Sequence, residues 1–155
     1  MADRVALAVL LTAVLATGCR PVASDSCRVT RPNGQVFSGA QPGGNHGNDY
    51  LVTALWSEGT VAFSPGGPGV LLPDGALAMK FPWWRRVEGK LSIEGRRLDG
   101  PARALRSEIS AGYGSTGLQA SALIFPSVGC WEVTGRVDGG SLTFVTRIVE
   151  RGVPY

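Results

Sequence analysis

From Cys130 onward, apolar and polar residues alternate with the period of a β-strand. Between Cys130 and Val137, Trp131, Val133 and Val137 fall on one side, while Cys130, Glu132, Thr134 and Arg136 fall on the other. Between Ser141 and Val149, Leu142, Phe144 and Ile148 share a face. Asp138-Gly139-Gly140 lies between the two runs and supplies a turn that tolerates positive φ. The pattern predicts a β-hairpin with one face on the core of a small sandwich.

Upstream, short apolar runs are punctuated by turn residues. Cys27–Gly34 reads as a short first strand ending in Pro32-Asn33-Gly34, and 35–49 reads as a glycine-rich loop. Leu51–Trp56 and Thr60–Phe63 around Ser57-Glu58-Gly59 predict a tight hairpin. Ser64–Gly69 is a loop, and Val70–Leu72 and Ala76–Phe81 flank the turn Pro73-Asp74-Gly75. Trp83–Val87 and Lys90–Ile93 around Glu88-Gly89 predict a further hairpin, which Arg96–Leu98 extends or bulges. Gly100–Arg106 is the one place where a helical turn is expected. Arg106–Ser110 and Leu118–Phe125 read as strands separated by the glycine loop Gly112–Gly117. No repeat and no linker interrupts the chain after Cys27, so 27–155 reads as one domain. Seven to nine short strands at this spacing predict an all-β fold, an immunoglobulin-like antiparallel β-sandwich, with a small antiparallel barrel as the alternative.

Composition supports this reading. Of 155 residues, 44% are hydrophobic and 17% charged, which is enough apolar surface for one core, and 22 Gly with 10 Pro favour many short strands over long helices. The first residues are different in kind. Val5–Ala16 is an apolar run behind Arg4, with the length of a signal-peptide core and too short to cross a bilayer comfortably. It leads into Leu15-Ala16-Thr17-Gly18-Cys19, which resembles a bacterial lipobox, although Ala16 stands where a larger aliphatic residue is commoner. Residues 1–18 are therefore expected to be a lipoprotein signal peptide, Cys19 the lipidated residue, and 19–26 a tether. An ordinary cleaved signal peptide with an incidental cysteine is the simpler alternative. Several acyl chains on Cys19 would give stable membrane anchoring where one would not.

Export places the two remaining cysteines, Cys27 and Cys130, where a disulfide can form. A Cys27–Cys130 bridge would staple the N-terminal segment across the outer side or edge of the sheet, and two unpaired thiols are the alternative. Removal of residues 1–18 takes away Asp3 and Arg4, one charge of each sign, so the balance stays at +3. The basic residues are scattered, with pairs at Arg85-Arg86 and Arg96-Arg97. No run marks nucleic-acid binding.

Phe81-Pro-Trp-Trp-Arg85, Lys90-Leu-Ser-Ile-Glu-Gly-Arg-Arg-Leu98, Gly112-Tyr-Gly-Ser-Thr-Gly117 and Phe125-Pro-Ser-Val-Gly-Cys-Trp-Glu-Val-Thr-Gly135 resemble segments of a group of bacterial exported proteins and lipoproteins. The ending of that group is similar to the last strands of an immunoglobulin-like sandwich. The resemblance spans roughly 27–149, and Gly-Cys-Trp-Glu-Val is its most specific part. It implies a fold and a cell-envelope location, and no activity or functional residue carries over from it.

Candidate chemistry is sparse. Gly112–Gly117 matches G-x-G-x-x-G with Glu132 about twenty residues on. A dinucleotide fingerprint needs a helix starting at the glycines, and Leu118–Phe125 before Pro126 is too short for a crossover helix. The glycines read instead as a bend between strands. His46 is the one histidine, and no serine sits in a G-x-S-x-G elbow. Asn45, His46, Asn48 and Asp49 are too few strong ligands for a metal, so neither metal nor cofactor is implied. Glu88, Glu94, Glu108 and Glu132 are the carboxylates that a glycosidase would have to pair, and the sequence places no two of them together.

The remaining feature is Trp83-Trp84-Arg85-Arg86. Adjacent tryptophans on a strand face opposite sides, so one is expected in the core and the other on the surface beside arginine, where it could stack a sugar or anchor a protein. The simpler alternative is that a loop such as Ser64–Gly69 covers the outer ring. The sequence thus points to an envelope-anchored lipoprotein acting as a non-catalytic binding domain, with an envelope glycan or protein as partner. The alternative is a small envelope hydrolase.

Overall fold

In the computed structural model, the described residues are 27–40, 42–64, 67 and 69–151. The expected signal peptide 1–18, lipidation site Cys19 and tether 19–26 lie outside them. The described chain forms ten strands and no helix: β1 His46–Gly47, β2 Leu51–Thr53, β3 Thr60–Phe63, β4 Gly69–Leu71, β5 Leu77–Arg85, β6 Ser92–Arg97, β7 Arg106–Ile109, β8 Gly117–Phe125, β9 Gly129–Val137 and β10 Gly140–Glu150.

They make two sheets. One runs β1-β2-β5-β8-β7, with β4 also on β5, and the other runs β3-β10-β9-β6. Their inner faces pack together as a sandwich. Phe81 on β5 stacks on Phe144 of β10 with ring centroids 5.4 Å apart, and Trp83 lies 5.5 Å from Phe81. Phe125 and Trp131 meet edge to face at 5.6 Å. Burying side chains of this size contributes about 1.5–3 kcal/mol each in transfer terms. Gly135 leaves the space that the Trp83 ring fills, because a Cβ there would stand 2.5 Å from the indole.

The C-terminal hairpin forms as expected, with Val137 opposite Gly140 and Cys130 opposite Arg147. The expected β4–β5 hairpin also forms, closed by the Leu72 N–H to Ala76 O bond of 2.8 Å. Pro82 is tolerated in a central strand because β4 pairs with 77–79 and β2 with 83–85, which leaves its stretch of that edge open.

Two expected hairpins are instead crossings between sheets. β2 joins β5, while β3 joins β10, and this last pair is parallel. The turn before β3 is held by β10: Gly59 O accepts Arg147 N–H at 2.9 Å and the Thr146 hydroxyl at 3.0 Å. β5 and β6 also lie in opposite sheets, and buried Leu91 anchors the crossing in the core. Residues 100–105 form no helical turn; Leu105 N–H bonds Gly95 O at 3.0 Å and its side chain is buried. Cys27–Gly34 is not a regular strand. It crosses the outer side of β10, held by the Cys27–Cys130 disulfide and by Thr30, whose N–H and hydroxyl bond Val145 O and Val145 N–H at 2.9 Å each.

Candidate functional site

The structure places Trp83, Trp84 and Arg85 away from solvent and only Arg86 at the surface. Trp83 is fully buried between the sheets, and Trp84 is 3% exposed. The expected surface tryptophan is therefore absent. Trp84 does face outward, opposite Val52 on one side and Leu118 on the other. It sits at the end of β5 where the segment following Gly34 runs, not at the Ser64–Gly69 end. Arg86 ties that segment down through Val36 O at 2.8 Å and Gln35 Oε1 at 3.2 Å. Arg85, 5% exposed, donates to Gly89 O at 2.7 Å and to Gly114 O, and so joins the β5–β6 crossing to the glycine loop. Trp83, Trp84 and Arg85 thus build one end of the sandwich from inside, and of the four residues only Arg86 is presented to solvent.

The His46 loop is likewise committed to structure. Asn45 and Asn48 spend their amides on Leu55, Ser141, Tyr50 and Leu51. His46 is buried, and burial holds its imidazole below the ordinary histidine pKa against a smaller upward pull from a backbone bond with Arg31. Among the described residues no cluster of three or more metal-ligating side chains occurs.

Glu94 and Glu132 do come together, in a shallow depression of about 330 Å³ on the outer side of β6 and β9. Each is held by an arginine across the strand pair, Glu94 by Arg136 at 2.6 Å and Glu132 by Arg96 at 2.8 Å. A glycosidase acid needs apolar surroundings that keep a proton on it. Two arginine-bound carboxylates on an open strand face are the opposite arrangement. Glu88 and Glu108 are elsewhere: Glu88 accepts from Ser115, and Glu108 lies exposed on β7.

The larger polar cleft, about 470 Å³, opens beside the disulfide where β6 and β10 end and β9 begins. Its floor is Gly129 with φ of 140°, and a Cβ there would run into Asp99 and the Arg97 guanidinium. Arg97 Nε bonds Asp99 Oδ1 at 2.6 Å, and Leu98 N–H bonds Cys130 O at 2.7 Å. Partial burial pushes the Asp99 carboxyl up, but the bonds from Arg97 and the Cys130 N–H outweigh it, and the group is held below the ordinary aspartate range. Arg147 and Val128 complete the rim. Cys27 lines this cleft and is paired, as the sequence suggested, with buried Cys130, their Sγ atoms 2.05 Å apart. Sequence reasoning missed Arg97, Asp99 and Arg147. Their one signal was the Arg96-Arg97 pair ahead of Asp99-Gly100, and nothing in it points to Arg147, which tertiary pairing brings opposite Cys130.

An apolar groove of about 280 Å³ adjoins this cleft at Glu150, lined by Phe63, Val70, Leu71 and Leu77. The cleft and groove together give one end of the sandwich an arginine-rich part and an apolar part. Compared with known proteins, the chain matches no family model, no curated protein and no solved structure.

Proposed function

We propose that the protein is an exported bacterial lipoprotein, held in the cell envelope by acyl chains on Cys19, whose immunoglobulin-like sandwich is a non-catalytic binding domain. The observation that carries this reading is the Cys27–Cys130 bridge, a bond that persists in oxidising compartments and closes the fold eight positions after the lipobox cysteine. Strand order supports the immunoglobulin-like reading. If β5 to β10 are taken as B to G, the sheets read A-B-E-D and A′-G-F-C, with β2 as A and β3 as A′ lying parallel to G. The disulfide departs from the B–F pattern of antibody domains: it ties the segment before A to the start of F. An envelope glycan or a protein of the envelope fits the binding reading as ligand.

Two measurements test it. Intact mass of the mature protein from bacterial membranes should show a chain beginning at an acylated Cys19; a chain beginning elsewhere without acyl groups overturns the lipoprotein reading. Thermal unfolding against envelope glycans and peptides should show a ligand that stabilises the sandwich. At about 100 times its dissociation constant, such a ligand adds roughly 2.7 kcal/mol. Turnover of a glycan or peptide that is lost in Glu94→Gln or Glu132→Gln would instead establish a hydrolase.

A further inference from the structure

We propose that the end of the sandwich carrying the Cys27–Cys130 bridge, Val70-Leu71 and a group of arginines docks on an anionic phospholipid surface; this rests on the lipoprotein reading of Cys19. The length of the tether selects that end. Seven residues separate Cys19 from Cys27, and the disulfide fixes Cys27 beside the first residues of β9. Eight chain steps reach at most about 26–29 Å when fully extended. The opposite end of the sandwich lies seven residues along β9, at Val137, or about 24 Å away at 3.4 Å per residue. Turning that far end to the membrane would need the tether drawn nearly straight along the whole domain. The near end needs no such extension.

The chemistry of the near end matches the place in which the tether puts it. Val70 and Leu71 are 63% and 56% exposed, and Leu98 and Val128 are each 42% exposed. Exposed apolar side chains can enter the boundary between headgroups and acyl chains. Around them stand Arg97, Arg103, Arg106, Arg147 and Arg151, against Asp74, Asp99 and Glu150. Asp74 and Asp99 are taken up by Arg106 and Arg97, while Arg103, Arg147 and Arg151 make no ion pair among the described residues. Two positive charges remain in excess at the edge of an apolar patch, the pattern that attracts phosphate headgroups.

The test uses the full lipidated chain in vesicles of phosphatidylcholine, with and without phosphatidylglycerol, read by amide hydrogen exchange. Acylation and vesicle attachment are checked first on the same sample, so a missing lipid is seen as such and not as failed docking. Residues 70–75, 98–105 and 126–129 are expected to exchange more slowly on the anionic vesicles, by at least about fivefold, the factor that one net arginine supplies near such a surface. The loops at 48–50, 111–116 and 138–139 should not change. Arg103→Glu with Arg151→Glu, both exposed and outside the core, should return the near end to its rate on phosphatidylcholine. Equal exchange on the two vesicle types, or slowing at the far end instead, overturns the proposal.

Discussion

Along β9 and β10, nine residue pairs face one another without interruption, from Val137–Gly140 to Gly129–Ile148. In residues 27–49 the regular structure among the described residues is the two-residue strand β1. The hairpin is held by its own ladder and by alternate side chains driven into the core. The N-terminal stretch is held from outside, by a disulfide and by asparagine amides that act as extra peptide groups. Asn33 gives Nδ2–H to Gly47 O at 2.8 Å and accepts Gly47 N–H at 3.1 Å. Asn45 does the same to Leu55, at 2.7 and 2.8 Å. Asn48 accepts the N–H groups of Tyr50 and Leu51 and donates to Ser141 O. A segment with little apolar alternation cannot earn its place by burial, so side-chain hydrogen bonds and a covalent link hold it.

Breaking the covalent link should separate the two regions most clearly. Cys27→Ala with Cys130→Ala opens a cross-link over 103 residues and should lower stability by about 4–5 kcal/mol in the chain-entropy account. Denaturant unfolding reads the loss, and hydrogen exchange should show residues 27–34 opening while β9–β10 stays the slowest region. Unchanged protection at 27–34 would mean that the bridge is not their anchor.

Gly135→Val strikes the hairpin instead. It places methyls against the Trp83 ring and should cost about 1–3 kcal/mol. Trp83→Phe in the same chain should recover part of that loss if the collision is the cause. Asn45→Ala removes both bonds to Leu55 and should cost about 1–2 kcal/mol. Asn45→Asp keeps the acceptor but sets a carboxylate oxygen against Leu55 O, and should cost at least as much as alanine at neutral pH. An alanine variant as stable as the parent would show that water replaces the asparagine freely.

The smallest effect is acid-dependent. The folded pKa of His46 lies below 6.5, so the unfolded chain binds a proton first as pH falls. Its contribution to stability is full above pH 6.5 and is lost as pH drops through the lower folded value. His46→Gln should therefore flatten the fall in melting temperature between about pH 7 and 5. An unchanged slope would assign that fall to other groups.

The longer strands, the C-terminal hairpin and the pairing of Cys27 with Cys130 were legible because each has a local sign: alternation, a turn sequence, or a count of cysteines in a chain whose first residues read as an export signal. The crossings at 51–63 and 83–93 were not. Each has the apolar runs and turn residues of a hairpin, and nothing local says that its two arms bury themselves in different sheets. The tryptophan pair misled for a related reason. Period-two alternation correctly puts Trp83 and Trp84 on opposite faces, but an outward residue is exposed only if no other segment covers it, and Trp84 is 3% exposed.

By itself, then, the sequence determined the all-β class, the turn positions and the inward set Trp131, Val133, Leu142, Phe144 and Ile148, and it offered Cys27 and Cys130 as a pair, since all of these follow from period, residue type or count. Tertiary structure decided which strands share a sheet, the parallel pairing of β3 with β10, the burial of Arg85 and Trp84, and the meeting of Arg97, Asp99 and Arg147 beside the disulfide. Those depend on contacts between residues far apart in the chain, formed by whichever surfaces remain to be covered once the two sheets have closed on their core.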